Sequence, residues 1–107
     1  VEKGRLQKDN SAIAEVAENI KIAVADEMVA NGIPAGGKTI TIVGGTPVSW
    51  STTDPLETEL KSVLGDNVNL TSNTYKGQSV SLKVELKNGI FVVTGSNILY
   101  TPGATIV

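Results

Sequence analysis

Apolar residues in the first thirty positions recur at steps of three, four and seven, which is the spacing of one face of an α-helix. This stripe consists of Leu6, Ile13, Val16, Ala17, Ile20, Ala23, Val24 and Met28, with Ile22 and Val29 widening it near its end. Charged residues lie mostly off the stripe. Asn31 and Gly32 supply a C-cap and Pro34 a stop. The pattern predicts one amphipathic helix over residues 1–31.

This predicted helix is longer than the body of the domain that contains it. Residues 2–30 rise by about 43 Å at about 1.5 Å per residue, whereas a compact domain of this length has a diameter of about 33 Å. The stripe fades before Leu6, and no N-cap residue stands ahead of it, so the sequence enters the helix mid-turn. We therefore expect the C-terminal half of the helix to pack on the domain and residues 1–8 to extend beyond it.

After residue 37 the apolar period changes to two, which indicates strands. The run KTITIV at 38–43 is β-branched and alternating, and PVSW at 47–50 is a weaker strand candidate. Between the strands, residues 55–64 carry the signals of a short helix. Asp54 is its N-cap, Pro55 opens its first turn and Glu57 completes a capping box.

The run SVSLKVELKNGIFVVTG at 79–95 predicts a β-hairpin closed by a type I′ turn at Asn88-Gly89. Alternation predicts a buried face and an outer face, and pairing Lys87 with Ile90 sets the register. The buried face comprises Val80, Leu82, Val84, Leu86, Phe91 and Val93, and the outer face includes Ser81, Ile90 and Val92. The segment from Ser96 to the end of the chain either crosses the outer face or adds an edge strand.

Together these elements predict a single α+β domain over residues 1–107. A long N-terminal spine helix (1–31) packs on an antiparallel β-sheet region (38–107) that carries one short extra helix (55–64). The helix stripe and the hairpin stripe are the largest apolar surfaces, so each is expected to bury the other. The predicted core is Ile20, Val24, Met28, Val84, Leu86, Phe91 and Val93. Truncating Phe91 to Ala is expected to cost about 3–5 kcal/mol.

Composition excludes several classes of chemistry. A net charge of -2 argues against a nucleic-acid partner, because phosphate binding requires a basic face. The chain has no Cys and no His, which removes disulfides, thiolate nucleophiles, imidazole bases and the commonest zinc ligands. The cluster Asp54, Glu57 and Glu59 is explained by helix capping. We therefore predict no enzymatic activity, no cofactor and no metal.

Other short motifs favour structural interpretations. The glycine pairs in AGGK and VGGT lack the spacing of a phosphate-binding loop and are predicted to form turns. The triplet at Asn69 matches a glycosylation acceptor and is interpreted as loop. Trp50 and Tyr75 are interpreted as core residues, although an exposed pair could form a sugar-binding platform. Tyr100 with Pro102 and Gly103 predicts a turn.

The segment KDNSAIAEVAENIKIAVADEMVANGIP, with its Gly/Pro break and the late antiparallel hairpin, resembles the soluble domain of a type IV pilin or pseudopilin. The absence of Cys makes it more similar to Gram-positive pilins, which often lack a C-terminal disulfide. In that family the spine helix begins with an apolar half that anchors the subunit in the membrane and later packs in the filament core. The resemblance implies that such a segment precedes Val1.

The resemblance further implies a structural subunit that assembles into a cell-surface filament with copies of itself and other pilins, serving adhesion or motility. The full-length precursor would be membrane-anchored and the assembled form extracellular. Val1, Leu6 and Ile13 are the candidate assembly residues on the spine helix. The alternative is a small secreted carbohydrate- or ligand-binding module that uses Trp50 and Tyr75.

Overall fold

The computed structural model describes residues 2–99. Its elements are α1 Glu2–Ala23, α2 Glu27–Asn31, β1 Lys38–Val43, α3 Pro55–Leu64, β2 Ser79–Lys87 and β3 Ile90–Ser96. The strands form an antiparallel sheet in the order β1-β2-β3. The predicted α+β class, with an N-terminal helix and an antiparallel sheet, is confirmed. The predictions for Val1, for a tail strand and for a turn at 100–103 lie outside the described residues.

The predicted single helix over 1–31 is interrupted. The helical bond from the Val24 N–H to the Ile20 carbonyl is followed by two tighter bonds, from Ala25 to Ile22 and from Asp26 to Ala23. Asp26 then takes an extended conformation and accepts a hydrogen bond from the Met28 N–H at 2.8 Å, which makes it the N-cap of α2. An aspartate offers the backbone this alternative to helix continuation. The spine helix is therefore α1 alone.

This interruption changes which side chains reach the core. Met28 continued the stripe at helical spacing, but its side chain is 77% exposed, so its predicted place in the core is wrong. The neighbouring Val29 is buried instead. The extended residue between the two helices resets the direction and phase of the second one, and a stripe extrapolated from α1 therefore fails in α2.

The hairpin forms as predicted. Lys87 pairs with Ile90, Leu86 with Phe91 and Val84 with Val93. Asn88 and Gly89 both have positive φ angles, of 51° and 80°, as a type I′ turn requires.

Burial along the hairpin is less extensive than predicted. Val84 is fully buried, but Leu86 is 55% exposed and its placement in the core is wrong. The pairing of β1 with β2 begins at Lys38 opposite Val84, so Leu86 extends past the first strand and lacks a neighbour there. Phe91 and Val93 lie on the inner face, half-buried against the core. Truncation of Phe91 should therefore cost less than the 3–5 kcal/mol expected for a buried ring.

One hydrophobic core joins the helices to the inner face of the sheet. The buried members are Ile13, Val16, Ile20, Ala23, Val24, Val29, Ile40, Ile42, Trp50, Leu56, Leu60, Leu70, Tyr75, Val80, Leu82 and Val84. The predicted core placements of Ile20, Val24 and Val84 are confirmed. The helix α3 contributes Leu56 and Leu60, packs on α1 and begins at the predicted N-cap, Asp54. Half of the predicted capping box forms, because the Glu57 N–H donates to Asp54 Oδ2 at 2.9 Å. The Glu57 carboxylate accepts the Ser51 N–H instead of the Asp54 N–H, which donates to Ser51 Oγ.

The chain between β1 and β2 makes backbone contacts between residues that are distant in sequence. Residues 47–50 form no strand, although the Val48 N–H donates to the Val68 carbonyl. Gly44 forms an isolated parallel bridge with Lys76, and a Cβ at Gly44 would overlap the Tyr75 carbonyl. Gly45 has a φ of 89°, which favours glycine. The predicted turn role of this glycine pair is confirmed.

Two isoleucines on α1 test the packing directly. Ile20 is fully buried and Ile22 is 61% exposed. Ile20→Ala should lower the free energy of unfolding by about 2–5 kcal/mol, because it leaves a cavity in the core. Ile22→Ala should change it by less than about 0.5 kcal/mol. Urea unfolding of the two variants measures the difference, and equal losses would contradict the orientation of α1.

Candidate assembly surface

The helix α1 buries one face and leaves the other to solvent. The exposed residues Gly4, Gln7, Ser11, Ala14, Glu18 and Ile22 follow helical spacing on the side opposite Ile13 and Ile20. We call these six residues the outer face of α1. Apart from Glu18 the outer face carries no charge, and several of its members are small. Another helix could therefore approach α1 closely along this face.

A buried carboxylate fixes the N-terminal half of α1 to the rest of the domain. Asp9 is 1% exposed. Its Oδ1 accepts a hydrogen bond from the Thr71 N–H at 2.9 Å, and its Oδ2 accepts one from the Ser72 N–H at 2.8 Å. Backbone donors thus replace the water that this carboxylate would bind in the unfolded chain.

The next residue extends this attachment. The Nδ2 of Asn10 donates to the Leu6 carbonyl at 3.0 Å, and the Tyr75 hydroxyl donates to Asn10 Oδ1 at 2.7 Å. The Tyr75 oxygen in turn accepts the Leu99 N–H at 3.0 Å. We call Asp9, Asn10, Ser72 and Tyr75 the polar clasp. It connects α1, the loop before β2 and the segment after β3.

The sequence pattern does not predict the polar clasp, because a charged residue such as Asp9 is expected to lie off the apolar stripe. The signal was present, because positions 9, 13, 16 and 20 share the spacing of the buried stripe. An acidic residue at a stripe position needs buried donors. Its donors are backbone groups more than sixty residues away, which no local pattern reveals.

The three predicted assembly residues have different outcomes. Val1 lies outside the described residues. Leu6 is half-buried and packs against the core. Ile13 is 3% exposed and belongs to the domain's own core, so its assignment to an assembly surface is corrected. The burial of Ile13 follows from the polar clasp, which holds this part of α1 against the domain. The surface of α1 that stays accessible is the outer face.

The exposed basic and acidic residues of α1 lie in separate parts of the helix. Lys3, Arg5 and Lys8 are exposed near its start, whereas Glu15 and Glu18 are exposed in its middle. The carboxylate between these groups, Asp9, is buried. One part of the exposed helix surface is therefore basic and the next part is acidic.

The remaining candidate sites have structural partners. Trp50 is buried and donates from Nε1 to the Gly65 carbonyl at 2.9 Å, and Tyr75 is fully buried. The predicted core role of both rings is confirmed, and no platform of these two rings faces solvent. In the acidic cluster, the Nζ of Lys38 lies 3.2 Å from Glu57 Oε2 and 3.7 Å from Asp54 Oδ1. No group of three metal-ligating residues occurs among residues 2–99.

The Asn69 triplet lies in a loop, as predicted. Its Oδ1 is buried without a hydrogen-bond partner among the described residues, and the next residue, Leu70, is fully buried. A glycan acceptor presents its side-chain amide at the surface. The packing of this loop therefore does not favour modification at Asn69.

Comparisons with protein-family models, with curated proteins and with solved structures found no match to this chain. Within residues 2–99, no helix has both the length and the apolar content needed to cross a membrane.

Two aspartates test the polar clasp. Asp9→Asn keeps the shape of the side chain but places an NH₂ group against one of two backbone donors. We expect a loss of about 1–3 kcal/mol in the free energy of unfolding, because a buried N–H is left without an acceptor. Asp26→Asn is the matched control, since asparagine caps a helix about as well as aspartate. Equal denaturation midpoints for both variants would show that the clasp contributes little.

Proposed function

We propose that this chain is the globular domain of a structural subunit of a type IV pilus or a related filament, which assembles through its N-terminal helix. The observation that carries the proposal is the exposed surface of α1. The domain covers one side of a 22-residue helix and leaves the outer face uncovered along its length. Residues 3–8 are exposed apart from the half-buried Leu6.

The attachment of α1 supports a role in bearing load. A helix that joins subunits must pass force to its own domain. Here the polar clasp and the buried stripe hold α1 over most of its length, from Asp9 to Ala23. The outer face can therefore contact another subunit while the inner face stays packed in the domain.

The charge pattern supports packing against a second copy. Lys8 and Glu15 lie two helical turns apart on the same side of α1. A parallel copy displaced along the axis by about 10 Å would place its Lys8 beside Glu15 of the first. Repetition of this offset pairs every copy with the next and generates an open filament, as a head-to-tail contact does when it does not close into a ring.

The proposal has consequences for partners and location. The partners are further copies of this chain and other pilins, the assembled form is extracellular at the cell surface, and the full-length precursor is held in the cell membrane. The filament serves adhesion or motility without chemistry on a substrate. The carbohydrate-binding alternative relied on Trp50 and Tyr75, whose burial removes the surface it required.

One substitution on the outer face tests assembly. Ser11→Arg places a long cation in the centre of the outer face, where it should block the approach of another helix. Ser62→Arg is the matched control on the exposed surface of α3. In cells that express the full-length gene, we expect Ser11→Arg to reduce filaments seen by electron microscopy by at least about tenfold, as a loss of about 1.4 kcal/mol per contact would do. Ser62→Arg should leave them unchanged.

The isolated Ser11→Arg domain should melt at the same temperature as the parent, because Ser11 is exposed. Abundant filaments from Ser11→Arg would exclude α1 as the assembly surface.

Charge reversal tests the offset between copies. Lys8→Glu and Glu15→Lys should each reduce filament number, because like charges then meet between neighbours. The double variant restores opposite charges and should recover filaments. If the double variant is as deficient as either single variant, the proposed pairing is wrong. Raising the salt concentration during assembly should reduce the number of filaments that the parent forms, because salt screens the attraction between Lys8 and Glu15. The order of the variants by filament number should stay unchanged.

A further inference from the structure

The chain contains the dipeptide Asn-Gly twice, at residues 31–32 and at residues 88–89. In this dipeptide the backbone nitrogen of glycine can attack the side-chain amide carbon of the preceding asparagine, because glycine carries no side chain that blocks the approach. The reaction requires a nitrogen that is not held in a hydrogen bond and a backbone that can rotate. The structure places the two dipeptides in opposite environments.

The first dipeptide ends α2 and is held on three sides. The Gly32 N–H donates to the Val29 carbonyl at 3.0 Å. A Cβ at Gly32 would lie 3.2 Å from the Pro55 side chain, so α3 packs directly on this glycine. The Val29 side chain is buried in the core. Rotation of the backbone at Asn31 must therefore detach α2 from both α3 and the core.

The second dipeptide forms the hairpin turn and is open to solvent. The hydrogen bond of such a turn joins the residues on either side of the central pair. Accordingly, the Gly89 N–H makes no backbone hydrogen bond among residues 2–99. A Cβ at Gly89 would meet no atom within 4 Å, and both Asn88 and Gly89 are exposed. The nitrogen that must react is therefore accessible here.

Few contacts hold the tip of this hairpin closed. The strand β1 begins opposite Val84, so the tip has no third strand beside it among residues 2–99. Ile90, in the pair next to the turn, is 68% exposed. Segments with few buried apolar contacts open locally at low free energy. Opening of this pair lets the backbone at Asn88 rotate until the Gly89 nitrogen faces the side-chain amide carbon.

We propose that Asn88 is a site of spontaneous conversion to aspartate and isoaspartate, and that the fold protects Asn31 from the same reaction. The Gly89 nitrogen loses its proton to hydroxide and attacks Asn88 Cγ. The Cγ–Nδ2 bond breaks, and the leaving nitrogen takes a proton from water and departs as ammonia. Water then opens the resulting succinimide ring at either carbonyl. One opening gives aspartate, and the other gives isoaspartate.

The two products affect the hairpin differently. Aspartate keeps the turn, since Asp-Gly forms type I′ turns as Asn-Gly does. Isoaspartate routes the main chain through its side-chain carbon, so the turn becomes longer and no longer fits the register of Lys87 with Ile90. Both products add a negative charge at the tip. This inference does not rest on the proposed filament function.

Ageing of the whole chain in buffer tests the proposal, with Asn31 as the internal control. Cleavage after lysine separates the two sites, because Asn31 falls in residues 22–38 and Asn88 in residues 88–107. Mass spectrometry measures the change from amide to acid in each peptide, and fragmentation distinguishes Asn88 from Asn97. We expect Asn88 to convert at least about tenfold faster than Asn31, because its dipeptide opens at lower free energy. Equal rates, or no conversion at Asn88, would overturn the proposal.

Unfolding separates the effect of the fold from that of the sequence. In concentrated guanidinium chloride the two dipeptides lose their structural difference and should convert at similar rates. A preference for Asn88 that persists in denaturant would show that neighbouring residues select it, and would overturn the protection assigned to the fold.

Asn88→Gly is the matched variant, since Gly-Gly also forms a type I′ turn. After equal ageing it should lack the acidic form that isoelectric focusing resolves in the parent. An equal amount of acidic form from this variant would place the reaction at another residue and overturn the assignment to Asn88.

Amide hydrogen exchange on the separated isoaspartyl form measures the effect on the hairpin. The Ile90 N–H bonds to the Lys87 carbonyl across the turn. It should exchange at least about tenfold faster than in the parent, whereas the Thr94 amide, in the pair with Lys83, should stay protected. Unchanged exchange at Ile90 would overturn the predicted loss of register at the tip.

Discussion

The burial of one carboxylate, that of Asp9, is the constraint on which the arrangement of this domain depends. A charged group at a stripe position of the first helix can enter the interior only if donors replace its water. The backbone of residues 71 and 72 supplies them. The loop before β2 must therefore pass beside Asp9. It also places Tyr75 beside Asn10, and through the Tyr75 oxygen it anchors the segment that leaves the sheet after β3.

The close approach of this loop to β1 follows from the same constraint. The loop must lie near enough to α1 to present its N–H groups and near enough to Gly44 to form a bridge. A side chain at position 44 would occupy the space of the Tyr75 carbonyl. The loop therefore reaches this position only because its N–H groups satisfy Asp9 and because Gly44 has no side chain in its way. This packing buries the inner face of α1 and leaves its outer face exposed.

Local patterns predicted the elements of this fold well and their junctions poorly. The hairpin and its register follow from Asn88-Gly89 and strict alternation, and α3 follows from Asp54 and Pro55, because these signals act over a few residues. The break at Asp26 was missed, because a capping aspartate inside a periodic run has the same spacing as an ordinary exposed residue. Met28 was misplaced as a result, and Leu86 was misplaced because strand alternation does not report where the neighbouring strand ends. The buried role of Asp9 depends on partners distant in sequence, and the outer face was recognised only once the buried face was known.

The distance along the chain between the two sides of the clasp has a kinetic meaning. The hairpin turn contains two residues, and each hydrogen bond of α1 joins residues four positions apart. Both elements therefore form between residues that are close in sequence. The contact between Asp9 and Ser72 joins positions 63 residues apart. Closing so large a loop costs conformational entropy, which only the contacts between formed elements can offset. We expect the contact of α1 with residues 71 and 72 to form later than the β2–β3 hairpin. A newly made chain would therefore close this hairpin while α1 is still separate from the loop that receives Asp9.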